Sequence, residues 1–330
     1  MFKFHLLGPY MGQRTLEITD VSSPLKTAFT ISRGAKTSAD TIRVTIREGE
    51  AVGQGECVPY PRYGETQTGV HAAIEARRAQ IEGSLSREAL QTAMPAGAAR
   101  CAVDCALWDL EAKLTGTPVW KLAGLPEPKP IETAVTVSLD TADAMAEAAR
   151  STPSRLLKLK LGGPEDLERI EAVHAARPDA RLIVDGNEGL LPEQFPAIVK
   201  RAADLGVVLI EQPFPAGKDE ALLRRPGAVS VCADESAHTS AEIQELARRY
   251  DAVNVKLDKT GGLTEAIRTV RAARESGLGV LLGCMVGGSL SMAPAVLLAG
   301  LADAADLDGP LWLAEDIAHG LTYSDGMVSP

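Results

Sequence analysis

No apolar run in this chain approaches the ~20 residues a membrane-spanning helix needs; stretches such as Ala293–Leu301 fall far short. Cysteine is sparse. The five residues Cys57, Cys101, Cys105, Cys232 and Cys284 are odd in number and lack zinc-type spacing. Cys101 and Cys105 lie one helical turn apart among Ala, Val, Leu and Trp, so buried, reduced thiols are expected. Positive charge is not in excess. The net charge of −10 argues against nucleic-acid or anionic-membrane partners. Met1–Tyr10 has no basic stretch followed by a long apolar core, so no secretory signal is expected and a cytoplasmic location is. A dinucleotide-binding G-x-G-x-x-G is missing too, because Gly53 and Gly55 are not followed by the helix that motif requires. What remains is ordinary globular material, 45% hydrophobic and 24% charged, and 330 residues suit a barrel plus a smaller domain.

The first region reads as α+β. Residues 1–50 have the look of antiparallel strands, with period-2 alternation over Thr41–Arg47. The Gly-, Pro- and Tyr-rich stretch Gly53–Glu65 reads as an ordered loop. Helical patterns follow at Thr68–Glu82 and Ala96–Leu114, the second stopped by Gly116 and Pro118. From Ile131 the pattern changes. Strands are expected near 131–138, 155–160, 181–185, 207–211, 229–233, 252–256, 279–283 and 304–306. Helices fall between most of them, for example at Pro164–Ala176, Ala241–Tyr250 and Leu263–Ser276. Alternating strands and helices imply a parallel sheet, and eight strands favour a closed barrel over an open doubly wound sheet. Three parts are therefore expected: an α+β domain over 1–118, an α/β barrel over 119–310, and a segment over 311–330 that returns to the first domain.

Five apolar strands end in charge, in the order Lys160, Asp185, Glu211, Asp234, Lys256, at gaps of roughly 22–26 residues, one strand-plus-helix unit apiece. Strand C-termini of such a barrel share one mouth. Three carboxylates with no nearby Cys or His favour a hard cation with oxygen ligands, Mg²⁺ first, one per subunit; capping of following helices or pairing with lysines is the structural alternative. Asn187 and Glu235 lie beside these acids. Lys160 and Lys256 flank them and should face each other across the mouth, and Lys158 points the same way as Lys160. Crowded cations should lower a lysine pKa, which suits a base near neutral pH. A metal-held carboxylate acidifies its α-carbon, so one lysine removing a proton and the other returning it to the opposite face would invert that centre.

At this point the chain resembles the enolase superfamily, in its muconate-lactonizing subgroup. The resemblance rests on Lys158-Leu-Lys160, Val184-Asp185-Gly-Asn187, Ile210-Glu211-Gln-Pro213, Ala233-Asp234-Glu235-Ser236 and Val255-Lys256-Leu-Asp-Lys259. It implies an N-terminal α+β capping domain over a (β/α)₇β barrel, Asp185, Glu211 and Asp234 as Mg²⁺ ligands, and Lys160 and Lys256 as the acid/base pair. Within the subgroup, three features are similar to dipeptide epimerases: Phe29–Gly34 with the Pro59–Glu65 loop, Leu282-Gly-Cys-Met285, and Ala305-Asp306-Leu-Asp308-Gly-Pro310. That likeness implies a dipeptide substrate, L-Ala-Glu first, with Lys158 neutralising its carboxylate and murein-peptide recycling as its setting. Asp306 and Asp308, two apart and expected on one strand face, would hold the substrate ammonium. Arg33, or Lys36 three residues on, would meet an acidic side chain, and Thr136 would hydrogen-bond the substrate backbone. The motif continues as Val286-Gly287-Gly288-Ser289, where relatives vary. A homo-oligomer is expected. Rival readings are a cycloisomerase, an o-succinylbenzoate synthase or an N-acylamino acid racemase of the same subgroup, and a non-catalytic peptide-binding protein.

Overall fold

The computed structural model describes residues 14–224 and 227–330; the reading made on Met1–Tyr10 lies outside them. Three antiparallel strands open the chain: β1 (Thr15–Ile31), β2 (Gly34–Glu48) and β3 (Ala51–Cys57), in the order β1-β2-β3. The long β1–β2 ribbon has a register irregularity between Pro24 and Phe29, beyond which Phe29 pairs with Lys36. One face of the sheet is apolar (Ile42, Val44, Ile46, all fully buried) and packs on the helix Ala98–Thr115.

That helix starts where Glu65, from the Gly/Pro-rich loop, accepts the Ala98 N–H at 2.7 Å, placing a carboxylate at the positive end of the helix. It ends at Gly116, with φ 63°, as a left-handed residue after a C-terminus should. The expected helix over Thr68–Glu82 is two helices, Gln67–Glu75 and Arg78–Glu82.

Gly53 and Gly55 explain themselves here. A Cβ on Gly55 would lie 2.2 Å from Ala102 O, and one on Gly53 would lie 2.2 Å from Ala106 O. Strand β3 thus touches the helix backbone only because it has no side chains there. Gly55→Ala should force strand and helix apart and cost about 3 kcal/mol. Urea unfolding measures it; an unchanged midpoint would mean that the strand moves freely.

Strand β4 (Ile131–Glu132) precedes eight strands in one parallel sheet: β5 (Val135–Val137), β6 (Leu156–Lys160), β7 (Arg181–Asp185), β8 (Val207–Glu211), β9 (Ser230–Ala233), β10 (Ala252–Lys256), β11 (Gly279–Gly283) and β12 (Ala304–Asp306). Their order follows the chain. The Thr133–Ala305 bridge and the 2.7 Å bond from Ala134 N–H to Ala305 O bring the two edges together, giving the expected barrel. The stretch read as one strand over 131–138 divides because β4 belongs elsewhere: it pairs with β14 (Met327–Ser329), which pairs with β13 (Thr322–Ser324). Before that hairpin the chain runs along the cap, where Ala314 N–H donates to Pro24 O at 2.8 Å.

Parity explains the barrel interior. Ala134, Leu156, Ile183, Cys232, Ala252 and Leu281 form a buried apolar cluster with Leu209 and Ala304 against it. Two residues further along each strand the same face carries Thr136, Lys158, Asp185, Glu211, Asp234, Asn254, Gly283 and Asp306. The floor is hydrocarbon; the layer above it is almost entirely polar.

Candidate active site

The in-register pairs Lys160–Asp185 and Asp185–Glu211 place a lysine and two acids side by side on β6, β7 and β8. Asp234 follows the end of β9, two residues past Cys232, which pairs with Glu211. Lys256 ends β10, four strands from β6 and so across the barrel from Lys160. Asp185 and Glu211 are fully buried, and Asp234 nearly so.

Each of them is held in an ion pair. Lys160 Nζ lies 2.7 Å from Asp185 Oδ2, and Lys256 Nζ lies 2.7 Å from Asp234 Oδ2. Lys158 Nζ sits among three acids, 2.8 Å from Glu211 Oε2, 2.8 Å from Asp306 Oδ2 and 3.2 Å from Asp185 Oδ2. Lys259, buried, reaches Asp234 Oδ1 and the Asp234 carbonyl, both at 2.6 Å. Asn254 donates to Glu211 Oε1 at 2.9 Å, and Gly283 makes room for it, since a Cβ there would lie 2.2 Å from Asn254 Oδ1. Gln212, between Glu211 and Pro213, accepts the Asp234 N–H at 2.8 Å and the Ser236 N–H at 3.1 Å, and it donates to Phe214 O and Tyr250 Oη. One side chain therefore ties the β8 acid to the β9 acid. Asn254 was reachable from the sequence by the parity that found Lys158. Gln212 and Lys259 stood within the quoted motifs, but no spacing rule showed what they hold.

The expected fall in lysine pKa does not occur for Lys158 or Lys256. Burial pulls both down, but the acids outweigh it: Asp306, Glu211 and Asp185 around Lys158, and Asp234 beside Lys256, hold both well above the ordinary lysine value. Burial alone would raise the Asp185 and Asp234 carboxyls. Lys160 and Lys158 hold the first below its usual range, while Lys256 and Lys259 hold the second there. Glu211 goes the other way. Burial pushes it up to about 7, and Lys158 offsets only part of that, with Asp185 and Asp234 adding to the rise.

Asp258 is another displaced acid. Its carboxylate accepts the Val58 N–H at 2.8 Å, joining barrel to cap, and burial pushes its pKa up to about 7, with Glu65 and Glu56 adding to the rise and Lys256 opposing it. A folded-state pKa above the unfolded 3.8 means that the native state binds the extra proton, so this group's contribution falls as pH rises from about 4 through 7. Asp258→Asn keeps an acceptor for Val58 and removes the charge. The variant should match the parent near pH 4 and exceed it by a few kcal/mol at pH 8. Thermal melts at both values test this; a variant that melts lower than the parent at pH 8 would sink it.

The predicted site residues divide into two groups. Lys160, Lys256, Asp234, Asn187, Arg33 and Lys36 all line one cavity of about 430 Å³ between cap and barrel mouth. Lys158, Thr136, Asp185, Glu211, Asp306 and Asp308 do not line it. The parity argument for the Asp306–Asp308 pair does not apply, because β12 ends at Asp306. Asp306 is bonded to Lys158, and Asp308 accepts the Thr136 N–H at 2.7 Å and the Trp312 indole N–H at 3.1 Å.

Among the described residues no three Asp, Glu, His or Cys side chains are drawn together tightly enough, as they stand, to hold a metal ion. The donor chemistry nonetheless fits a hard cation. The acids present only oxygen, and beside them Asn187 Oδ1 is buried with no partner.

A capped parallel barrel, with two lysines on opposite sides of its mouth and a row of buried acids between, defines an enolase-like enzyme. Residues 13–124 match the "Mandelate racemase / muconate lactonizing enzyme, N-terminal domain", and residues 140–330 match the "Enolase C-terminal domain-like" family. The chain therefore belongs to the mandelate racemase/muconate lactonizing enzyme family of the enolase superfamily. It is 44% identical over 316 residues to the L-Ala-D/L-Glu epimerase of Escherichia coli (strain K12), covering 95% of this chain and 98% of that protein. It is also 44% identical over 294 residues to the N-acetyl-D-glutamate racemase of a Pseudoalteromonas species, covering 88% and 92%. Among solved structures it is similar to an enolase family member from Agrobacterium tumefaciens with homology to dipeptide epimerases, solved with sodium and L-Ala-L-Glu. The TM-score is 0.94, with 49% identity and 96% and 98% of the two chains covered. A dipeptide epimerase from Methylococcus capsulatus, complexed with Mg and L-Arg-D-Lys, has a TM-score of 0.86 at 31% identity, with 96% of each chain covered. The chain is an enzyme of the isomerase class. No helix of the described residues is long and apolar enough to cross a membrane.

Proposed function

We propose that the chain is a Mg²⁺-dependent dipeptide epimerase that interconverts L-Ala-L-Glu and L-Ala-D-Glu. The observation that carries this reading is the pair Lys160 and Lys256, which enter one cavity from opposite sides of the barrel. A substrate α-carbon held between them presents one face to each ammonium group. One lysine, neutral, takes the α-proton; the other, charged, delivers a proton to the opposite face; the configuration inverts. Asp185, Glu211 and Asp234 would hold the cation, which would supply positive charge to offset the negative charge developing on the substrate carboxylate as the α-proton leaves. Lys160 and Lys256 must first let go of Asp185 and Asp234, and for Lys256 the loss of Asp234 removes the charge that holds its pKa above the ordinary lysine value. Lys158 stays below them and balances the acids. The similarity to the E. coli epimerase supports the substrate, and the Mg-bound Methylococcus structure supports the metal. Murein-peptide recycling in the cytoplasm, by a homo-oligomer, is the setting this reading carries.

A second reading is favoured by Asp306 and Asp308. Asp308 and one oxygen of Asp306 are occupied by protein partners, and both residues lie off the cavity, so neither is presented there to an ammonium group, and an N-acylated glutamate presents none. The Pseudoalteromonas racemase supports that class of substrate. Proton NMR in D₂O with Mg²⁺ decides between them. Loss of the glutamate α-proton signal from L-Ala-L-Glu, with L-Ala-D-Glu appearing, is the expected result. Exchange confined to N-acetyl-L-glutamate would transfer the assignment, and exchange on neither would sink both.

A further inference from the structure

The backbone after Lys256 and the backbone after Lys160 are fastened very differently. Lys256 leads straight into the single turn Leu257–Thr260, which Gly261 and Gly262 close before helix Leu263–Glu275 begins. Every residue from Ala252 to Ile267 is buried. The cap helix Ala98–Thr115 lies on this segment and bonds to both ends of its Gly-Gly link. The Arg100 guanidinium, 5% exposed, donates to Thr260 O at 2.6 Å and to Gly261 O at 3.2 Å. Asp104 accepts the Thr264 N–H at 2.9 Å, and Trp108 Nε1 donates to Thr264 Oγ1 at 2.9 Å. The approach is close because the link has no side chains. A Cβ on Gly261 would lie 2.5 Å from Arg100 Nε, and one on Gly262 would lie 2.5 Å from Asp104 Oδ2.

Arg100 is an unusual cation for so buried a place. Among the described residues it makes no ion pair, and its four hydrogen bonds all go to backbone carbonyls: Thr260 and Gly261 in the barrel, Gln91 and Met94 in the cap. A buried charge without a partner charge is a poor device for stability alone. What a planar guanidinium does supply is a rigid fork that fixes two segments relative to each other. The turn it fixes carries Lys259 and begins at Lys256, and both ammonium groups hold Asp234. The segment after Lys160 has no such fastening. The Leu161 N–H bonds to Asp185 O, and the Gly162 and Gly163 N–H groups bond to Asp166. Among the described residues the cap sends no hydrogen bond to Leu161–Asp166; it offers the Phe29 ring, 5.9 Å from Lys160 Nζ.

We propose that Arg100 is a positioning residue for one half of the reaction: by locking the Leu257–Gly262 segment to the cap helix, it sets where Lys256 stands at the cavity and leaves Lys160 untouched. It acts through the turn, since Arg100 does not itself line the cavity. The proposal rests on the two-lysine function above and needs only that each lysine serve one epimer. A turn that shifts carries Lys256 with it, while Lys160, across the barrel on β6, stays in place. A misplacement of about 1 Å in a reacting group can cost about 10²-fold in rate.

The experiment follows α-proton exchange in D₂O with Mg²⁺ from L-Ala-L-Glu and from L-Ala-D-Glu separately, using the full chain, Lys256→Ala, Arg100→Met and Arg100→Lys, with a thermal melt of each. Lys256→Ala identifies the epimer that Lys256 serves. For that epimer, kcat in Arg100→Met should fall about 10- to 100-fold, with KM little changed. Exchange from the other epimer should keep its rate. Arg100→Lys can bond one of the two barrel carbonyls but not both, so it should show the same bias in weaker form, and it decides the matter if Arg100→Met does not fold. Equal slowing of both epimers, a bias against the epimer that Lys160 serves, or parent-like exchange from both epimers in every folded Arg100 variant overturns the assignment. If the unsubstituted chain exchanges neither dipeptide, the same comparison is made on N-acetyl-L-glutamate and its D epimer. Exchange on none of the four sinks the parent reading and this one with it.

Discussion

With Lys160 replaced by alanine, the α-proton of L-Ala-L-Glu should still wash out in D₂O, yet no L-Ala-D-Glu should appear. Two lysines on opposite sides of one cavity split inversion into two half-reactions. By the family resemblance Lys256 serves the L centre and Lys160 the D centre. Without Lys160, Lys256 takes the proton from L-Ala-L-Glu and returns deuterium to the same face, so label enters and configuration stays. Starting from L-Ala-D-Glu, the same variant should exchange nothing. Lys256→Ala should give the mirror image. A positioned acid/base group contributes about 10²–10⁴-fold, so inversion should fall by at least that much, while exchange from the surviving side falls far less. The split separates chemistry from damage, since a misfolded variant loses both half-reactions together. Lys160 also pairs with Asp185 at 2.7 Å, so the variant's melting point is taken alongside. Full epimerisation by Lys160→Ala would remove the lysine from the mechanism.

Legibility followed burial. Strands β7, β8, β10, β11 and β12 coincide with the sequence reading because each is a short apolar run between polar turns, a pattern that admits few other placements. The charged ends of β7, β8, β10 and β12 are conspicuous for the same reason: a buried strand has no use for Lys, Asp or Glu unless something inside needs it. Where long-range partners decide, the reading failed. Ala241–Tyr250 looked like one helix but is a short 3₁₀ turn, capped by Thr239 and Glu242, followed by the single turn Ile243–Leu246. Strand β4 left the barrel for a hairpin near residue 327, a pairing across nearly the whole barrel region that no local pattern records. Gly53 and Gly55 were visible as residues, but their reason, contact with a helix backbone some fifty residues on, was not. The lysine pKa values failed similarly. Counting nearby cations suggested a fall; the folded geometry sets three acids around Lys158 and reverses the sign.

That geometry makes Lys158 the residue whose loss should cost most in stability. Its ammonium is 1% exposed and sits within 3.2 Å of Glu211, Asp306 and Asp185. Lys158→Met fills much the same space with hydrocarbon but leaves those acids facing one another without a common cation. Removing one partner from a buried ionic cluster costs about 3–5 kcal/mol, and that is the expected loss at pH 8 without divalent cation. The sign against pH follows from linkage. In the parent, a Lys158 pKa raised above its unfolded value contributes fully at every pH below the ordinary lysine range, so it is present throughout pH 5–8. In the variant the acids lose their cation and their folded-state pKa values rise. Proton uptake then relieves the repulsion at low pH, and stability drains away as pH increases through those raised values. The gap between variant and parent should therefore be small near pH 5 and widest at pH 8. Mg²⁺ should narrow it, because a divalent cation among the same carboxylates supplies the charge that the lysine took away. Urea unfolding at pH 5 and pH 8, with and without MgCl₂, reads all four corners. A variant as stable as its parent at pH 8 in EDTA would mean that the acids are not held charged by Lys158. A gap that Mg²⁺ leaves untouched would mean that Asp185 and Glu211 do not bind the ion.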